Sequence, residues 1–528
     1  MKDLTASVFT FEKLIQGDYL YIDKTAYLWE LVRPKNGIYF LSRPRRFGKS
    51  LTLSTLEAIF QGKHELFKGL AIDDKPYDWK SYPVVHLDFG DCAVQNAEEL
   101  RDYLYFSLCS LAQTIGVQPF MDKSQRGLSL TNLINSMDKG DGVVVLVDEY
   151  DKPLLNMLGK PEAADEMLPV MKGFYSAIKK CEPHERFVFV TGVSKFCHVS
   201  LFSDLNNLQD ISTNSRFATM LGYTQEELEA NFNDRLPQIQ QQLALSREEL
   251  LKRLKFWYDG YRFAPGAATV YNPVSIANFF MNDGLFSNYW FSTGTASSLF
   301  ALMRRKGNTL PALMDTPVRS GLFNSFDLAA VDIRKLMYQT GYLTIGETEV
   351  IGAGTEEEER MYRLRFPNKE VRSSFNDQVM EHFAGLEPEQ SSDLTRQLVA
   401  DLRSGDVKAF MERLKVLFAK IPYNLRGRRE KDYQTILYVV FLMLKVHVNA
   451  EYHTNEGRID LVLSAEEWTY VIELKLNKSA EEAMAQIWDR DYVRGFLGQN
   501  RRVVAVGVNF DETHAQIDNW LAEEVAAG

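Results

Sequence analysis

Four short apolar runs punctuate the first two hundred residues: Gly37–Ser42, Pro83–Phe89, Gly142–Val147 and Phe187–Thr191. Each is nearly continuous in hydrophobic residues, the pattern of strands covered on both faces in a parallel sheet. Between them, Leu51–Gln61 and Ala97–Ile115 repeat apolar residues at helical spacing. Strands alternating with helices predict a doubly wound α/β sheet.

The pattern changes near Asn214. Thr224–Phe256 has helical periodicity, and Thr224 with Glu227 forms a capping-box signature. Trp257–Phe263, Tyr271-Asn272-Pro273 and Tyr289–Gly294 mix aromatics with turn residues, and the acidic run Glu356–Glu359 reads as an exposed loop. This middle region is expected to be mostly helical. The end of the chain returns to an α/β pattern. A helix over roughly Glu430–Val446 precedes strands at Ile459–Leu463, Tyr470–Leu474 and Arg502–Val508, with a helix over Ala480–Phe496 between the last two. The expected division is 1–213, 214–423 and 424–528.

A length of 528 residues suits two to four such domains. Hydrophobic residues make up 45% and charged residues 25%, which leaves little room for large-scale disorder. The longest apolar run, Ile436–Leu444, is too short to span a membrane, and Met1–Thr10 has no signal-peptide core. Cys92, Cys109, Cys181 and Cys197 form no CxxC pair. These features predict a cytoplasmic protein with reduced thiols and no membrane partner. The net charge of −11 excludes a broadly basic coat for nucleic acid. It leaves room for a local groove, and basic clusters stand at Arg43–Lys49, Arg304–Lys306 and Arg426–Lys431.

Phe40-Leu-Ser-Arg-Pro-Arg-Arg-Phe-Gly-Lys-Ser50 lies where a strand should turn into a helix, and Gly48-Lys49-Ser50 matches the end of a P-loop. Glycine lets the main chain approach phosphates, and successive N–H groups at a helix start bind anionic oxygen. Lys49 is placed to reach the β- and γ-phosphates of ATP, and the Ser50 hydroxyl to hold Mg²⁺. Arg43 stands where the motif has its first glycine. A second element supports the first. Gly142-Val-Val-Val-Leu-Val-Asp-Glu-Tyr-Asp151 is an apolar strand ending in Asp148, suited to magnesium, and Glu149, suited to orient or deprotonate a water. Thr191 ends a third strand and reads equally as a γ-phosphate sensor or a plain strand-end threonine. The residues expected to face nucleotide are Arg46, Phe47, Gly48, Lys49, Ser50, Leu51, Asp148 and Thr191.

Near the C-terminus, Gly457-Arg-Ile-Asp460 is followed by Tyr470-Val-Ile-Glu473-Leu-Lys475. Residues i and i+2 of a strand share a face, so Glu473 and Lys475 point together, and a hairpin brings Asp460 beside them. Two carboxylates form an oxygen-rich site for Mg²⁺ or Mn²⁺, and the lysine can orient a water or stabilise developing charge. The eight histidines are scattered, and no Ser/His/Asp triad is visible.

The run Arg43–Ser50, with Tyr21-Ile22-Asp23-Lys24-Thr25, Leu146–Asp151 and Tyr271-Asn272-Pro273, resembles the signature of the bacterial AAA-ATPase-like family. The resemblance implies a P-loop ATPase fold across most of Met1–Phe300 and makes arginine at position 43 ordinary for the family. Residues 424–509 resemble the PD-(D/E)XK nuclease domain that commonly follows it, a restriction-endonuclease-like α/β fold. That resemblance implies a catalytic core of Asp460, Glu473 and Lys475, with Glu430 and Gln486 as auxiliaries, Glu430 near the metal; Glu451 reads as a metal neighbour or a strand-entry acid. The expected activity is ATP hydrolysis joined to metal-dependent phosphodiester cleavage, with DNA favoured over RNA, a role in defence against foreign nucleic acid, and homo-oligomerisation left open. The competing reading is a nucleotide-controlled switch or scaffold whose nuclease fold only binds.

Overall fold

In a computed structural model, all residues are described except 123–125, 159, 196–200, 203–206, 291–298, 301, 304–316, 324–331, 353, 356–357, 386, 421–436, 438–439, 441–446, 455–456, 498–500, 512, 514–515 and 526–528. The chain forms two compact units. One comprises Met1–Ser292 with Pro317–Val371, and the other Thr293–Thr316 with Arg372–Gly528.

The first unit is built on strands β1 (Ile38–Ser42), β2 (Val84–Asp88), β3 (Val143–Asp148), β4 (Glu185–Gly192) and β5 (Gln209–Asp210), in the order β2-β3-β4-β1-β5. Every pairing is parallel, so the doubly wound sheet expected from the four apolar runs is present. All six residues of β3 are buried, which explains why that run lacks polar alternation. Helices Lys49–Phe60 and Ala97–Ile115 follow the first two strands. Asn96 caps the second of these by accepting from the N–H groups of Glu98 and Glu99.

Thr224–Phe256 breaks into three helices, Gln225–Phe232, Leu236–Leu243 and Arg247–Tyr258. The capping box at Thr224 and Glu227 forms as expected, and an identical signature at Ser246 and Glu249 starts the third helix. The aromatic and turn-rich stretch beyond it buries Tyr258, Tyr271, Phe279 and Phe280 with Leu228, Phe232 and Leu250 in one cluster. The expectation of a mostly helical middle needs a local correction. Strands β6 (Val318–Arg319), β7 (Thr344–Ile351) and β8 (Glu359–Arg365) form an antiparallel sheet in the order β6-β8-β7. Only the first three residues of β7 are buried, so its outer half carries no apolar signal. Of the acidic run, Glu358 is exposed between β7 and β8, Glu359 opens β8, and Glu356 and Glu357 lie outside the described residues.

The second unit has a sheet of β9 (His447–Thr454), β10 (Gly457–Ala465), β11 (Trp468–Leu476), β12 (Arg502–Asp511) and β13 (Gln516–Val525), ordered β13-β12-β11-β10-β9. β11 and β12 are parallel and the other pairings antiparallel. The crossover between the parallel pair is helix Ala480–Asp489, shorter than expected, followed by a 3₁₀ turn at Arg494–Phe496. Met484 and Ile487 on that helix pack with Val471 of β11 and with Val503 and Ala505 of β12, and Tyr470 on β11 donates from its hydroxyl to the carbonyl of Leu402 on helix Pro388–Ser404. The expected helix Glu430–Val446 and the basic clusters Arg304–Lys306 and Arg426–Lys431 lie outside the described residues, apart from Leu437 and Val440. No helix among the described residues is long and apolar enough to cross a membrane.

Candidate functional site

The loop after β1 closes at Gly48, whose φ of 90° leads directly into helix Lys49–Phe60. A Cβ at Gly48 would meet nothing within 4 Å, so its glycine character serves backbone conformation and an open approach. Arg46 also has positive φ, 67°, and donates from Nη1 to the carbonyl of Tyr289 at 2.7 Å. The Phe47 ring is buried edge-on against Tyr261 and Phe263 and anchors the loop from beneath. Leu51 is half-buried in the first helical turn.

Arg43 has no positive φ, so its position does not require glycine. Its buried guanidinium donates to the carbonyls of Ser42, Ser212 and Phe217 and lies 4.2 Å from the Phe263 ring. Burial lowers its pKa to about 10, which still leaves it charged at neutral pH. The arginine thus braces the loop from its base.

Lys49 is buried, with Nζ donating to the carbonyls of Arg43 and Pro44, each at 3.1 Å. Burial depresses its pKa, while Asp148, Glu149 and Asp151 pull it upward. Asp148, at the end of β3, accepts from Ser50 Oγ through Oδ2 at 2.6 Å and from Thr191 Oγ1 through Oδ1 at 2.6 Å. Three elements therefore converge on one carboxylate, and the Thr191 hydroxyl is directed at it. Glu149 follows with φ of 49°, its N–H donating to Asp148 Oδ1 and its side chain 3.4 Å from Lys152 Nζ. A left-handed glutamate is uncommon and marks a turn held by its surroundings.

Two nearby acids complete the surroundings, Asp151, which closes the run read from the sequence, and Asp88, which sequence reasoning passed over. Asp151 is fully buried and accepts from Ser194 Oγ and from the N–H groups of Val193 and Ser194. It ties the end of β3 to the end of β4. Asp88 ends β2 and pairs in register with Asp148. Partial burial, with Asp148 and Glu149 nearby, raises its pKa. Its signal was available: an apolar strand terminating in aspartate, as in β3.

In the second unit the register Leu461↔Ile472 places Asp460 across from Glu473 on adjacent antiparallel strands. Both carboxylates are buried, and Asp460 Oδ2 accepts from the N–H of Leu474 at 2.9 Å. Lys475 Nζ donates to Glu473 Oε1 at 3.0 Å and to Gln486 Oε1 at 2.7 Å, while Gln486 Nε2 donates back to Glu473 Oε1. The structure thus brings Asp460, Glu473, Lys475 and Gln486 together, the last from the crossover helix. Glu430 lies outside the described residues; Glu451 is on β9, and its side chain is not described. Among the described residues no three His, Cys, Asp or Glu side chains form a ready metal cluster. The two carboxylates nevertheless supply oxygen donors of the kind that Mg²⁺ accepts.

The fold and these constellations define a two-part protein, a P-loop unit and a nuclease-like unit. Comparison with known families agrees: the family described as "Predicted AAA-ATPase" matches residues 6–202, and the PD-(D/E)XK nuclease superfamily matches 428–520. The chain belongs to the AAA-ATPase-like family with a C-terminal PD-(D/E)XK nuclease domain. It is 35% identical over 535 residues to an uncharacterised protein of the vnfD 5′ region of Azotobacter chroococcum mcd 1, covering 99% of each. Among solved structures, the Aeropyrum pernix ORC2 protein matches at 13% identity with a TM-score of 0.27, over 80% of this chain and 85% of that one. Drosophila ORC bound to GC-rich DNA and Cdc6 matches at 10% identity with a TM-score of 0.26, over 83% and 62%. Likeness at that level carries no argument about function.

Proposed function

We propose that this protein binds and hydrolyses ATP at the Lys49–Ser50–Asp148 site and cleaves phosphodiester bonds at the Asp460–Glu473–Lys475 site. The observation that carries the first half is the convergence of Ser50 and Thr191 on Asp148 beside the phosphate loop. When bound, Mg²⁺ supplies charge neutralisation at the ATP phosphates and, at the second site, polarises the scissile bond and acidifies a water. Ser50 and Asp148 are the groups that would hold it at the first site, and Asp460 and Glu473 at the second. Lys49 leaves the carbonyls of Arg43 and Pro44 to meet phosphate, exchanging two neutral acceptors for a charge-assisted contact. Glu149 takes the proton of the attacking water. Lys475, held between Glu473 and Gln486, stabilises the charge that develops on the cleaved phosphate.

The proposal includes a nucleic-acid partner, with DNA ahead of RNA, and a role against foreign nucleic acid, and the PD-(D/E)XK match supports the nucleic-acid partner. Cytoplasmic location rests on the sequence features given above. The test is one panel: wild type, Lys49→Ala and Lys475→Ala, assayed for ATP binding and for cleavage of single- and double-stranded DNA and RNA with Mg²⁺ or Mn²⁺. Lys49→Ala should lose ATP affinity. Lys475→Ala should lose cleavage and keep ATP binding, because its lysine lies on a different sheet from the phosphate loop. Undiminished ATP affinity in Lys49→Ala would refute the first assignment, and cleavage surviving in Lys475→Ala the second.

A further inference from the structure

The Tyr271-Asn272-Pro273 motif takes no part in either site. Asn272 is fully buried and caps helix Pro273–Met281, its Oδ1 accepting from the N–H groups of Val274 and Ser275. The cap fixes Ser275, whose hydroxyl donates to Glu370 Oε2 at 2.8 Å. Glu370 is itself fully buried, and its Oε1 accepts from the N–H groups of Tyr289 at 2.6 Å and Trp290 at 2.9 Å. The carbonyl of the same Tyr289 receives Arg46 of the phosphate loop. Arg46 and Glu370 also attract each other electrostatically, which opposes the rise that burial gives the glutamate.

These contacts form an unbroken path: Arg46, the Tyr289–Trp290 main chain, Glu370, Ser275. Its start at Arg46 and its middle at Trp290 and Glu370 are informative. Arg46 sits in the loop with a left-handed φ, a conformation that needs support from its neighbours. Trp290 and Glu370 stand just before Ser292 and Val371, the two points where the chain passes forward from the first compact unit into the second. The segment before Val371 is firmly seated. Asn368 Oδ1 accepts from the Val371 N–H at 3.0 Å, and Gly260 lies so close to Pro367 that a Cβ there would approach its carbonyl oxygen to 2.0 Å.

We propose that Glu370 is a positioning residue for the phosphate loop, acting through the Tyr289–Trp290 main chain and Arg46, and that nucleotide occupancy is transmitted along this path to both chain exits. The inference rests on the ATP-binding reading and extends it to how that site is regulated. A buried carboxylate that grips two main-chain N–H groups is an effective staple, because releasing them unpaired in the interior is costly. Phosphate drawn to the loop competes for the Arg46 guanidinium or reorients it. Any such change alters the pull on the Tyr289 carbonyl, on the far side of the peptide that Glu370 holds. A ligand shifts a conformation only through contacts that differ between states, and Arg46 is where such a difference enters.

The test is hydrogen exchange of the full chain with and without saturating ATP and Mg²⁺, using a non-hydrolysable ATP analogue as a second probe. Peptides covering 43–50, 285–290 and 366–372 are followed in wild type, Glu370→Ala and Glu370→Gln. In wild type, nucleotide should slow exchange in all three peptides. In Glu370→Ala the response at 366–372 should disappear while 43–50 remains protected. Glu370→Gln keeps an acceptor oxygen for the two N–H groups and should restore it. Protection at 43–50 without any change at 366–372 in wild type overturns the inference and leaves ATP binding standing. No protection at 43–50 overturns both. An unaltered 366–372 response in Glu370→Ala also overturns it. If that variant does not fold, Ser275→Ala removes one contact from the path and should at least halve the 366–372 response; a full response there counts against the proposal.

Discussion

At the scale of single residues, the proposed mechanism gives Glu149 the attacking water. Glu149→Gln keeps the side-chain shape and removes the base, so ATP turnover should fall by roughly two to four orders of magnitude with binding retained. Turnover near wild type would move the role to another group. Asp151, whose carboxylate is fully engaged by Val193 and Ser194, is a poor substitute, whereas Asp88 stands in register with Asp148. A different carboxylate bears on stability. Glu185, at the start of β4, is buried with neither oxygen hydrogen-bonded, and burial pushes its pKa up to about 8 from an ordinary 4.5. The folded chain therefore holds a proton that the unfolded chain gives up between those two values. Stability should fall as pH rises across that window, by about 4 kcal/mol, and flatten above it. Glu185→Gln should remove this part of the pH dependence in denaturant titrations at pH 5 and pH 8; an unchanged difference between the two would show that Glu185 is not its source. None of this was legible in the sequence, where Glu185 is one acid among many and its isolation depends on what packs around it.

At the scale of elements, legibility followed the strength of the local pattern. β1 to β4 carry continuous apolar runs and were placed to within a few residues, and the Thr224 capping box announced its helix. β5 is two residues long and β13 exposes most of its side chains, so neither has a hydrophobic signature. The β7–β8 hairpin was hidden for the same reason. The site residues divided in the same way. Lys49, Ser50, Asp148, Asp460, Glu473 and Lys475 sit in motifs with fixed spacing, whereas Glu370 lies eighty residues or more from Tyr289, Trp290 and Ser275, too far for any spacing rule. Gly260 reports on how closely two such distant segments meet. Its φ is 115° and a Cβ would collide with the Pro367 carbonyl, a rigid main-chain group. Gly260→Ala should destabilise the first unit by on the order of 2–4 kcal/mol, since neither the conformation nor the contact tolerates a methyl group. A melting temperature within a degree of wild type would mean that the two segments can part without penalty.

At the scale of the whole molecule, the two proposed sites belong to different sheets in different compact units, so each should be open to inactivation alone. The order of strands in the first sheet has a consequence for synthesis on the ribosome. β1 emerges well before its sheet neighbours β4 and β5, which are made some hundred and fifty residues later. At roughly 5–20 residues per second, the nascent phosphate loop waits on the order of ten seconds or more for a partner strand. Pairing so remote in sequence closes a long loop of chain and is intrinsically slow. Through that interval Phe40 and Leu41, fully buried in the finished sheet, have no sheet to enter. The newly made β1 segment is thus a stretch that a chaperone's protection would serve.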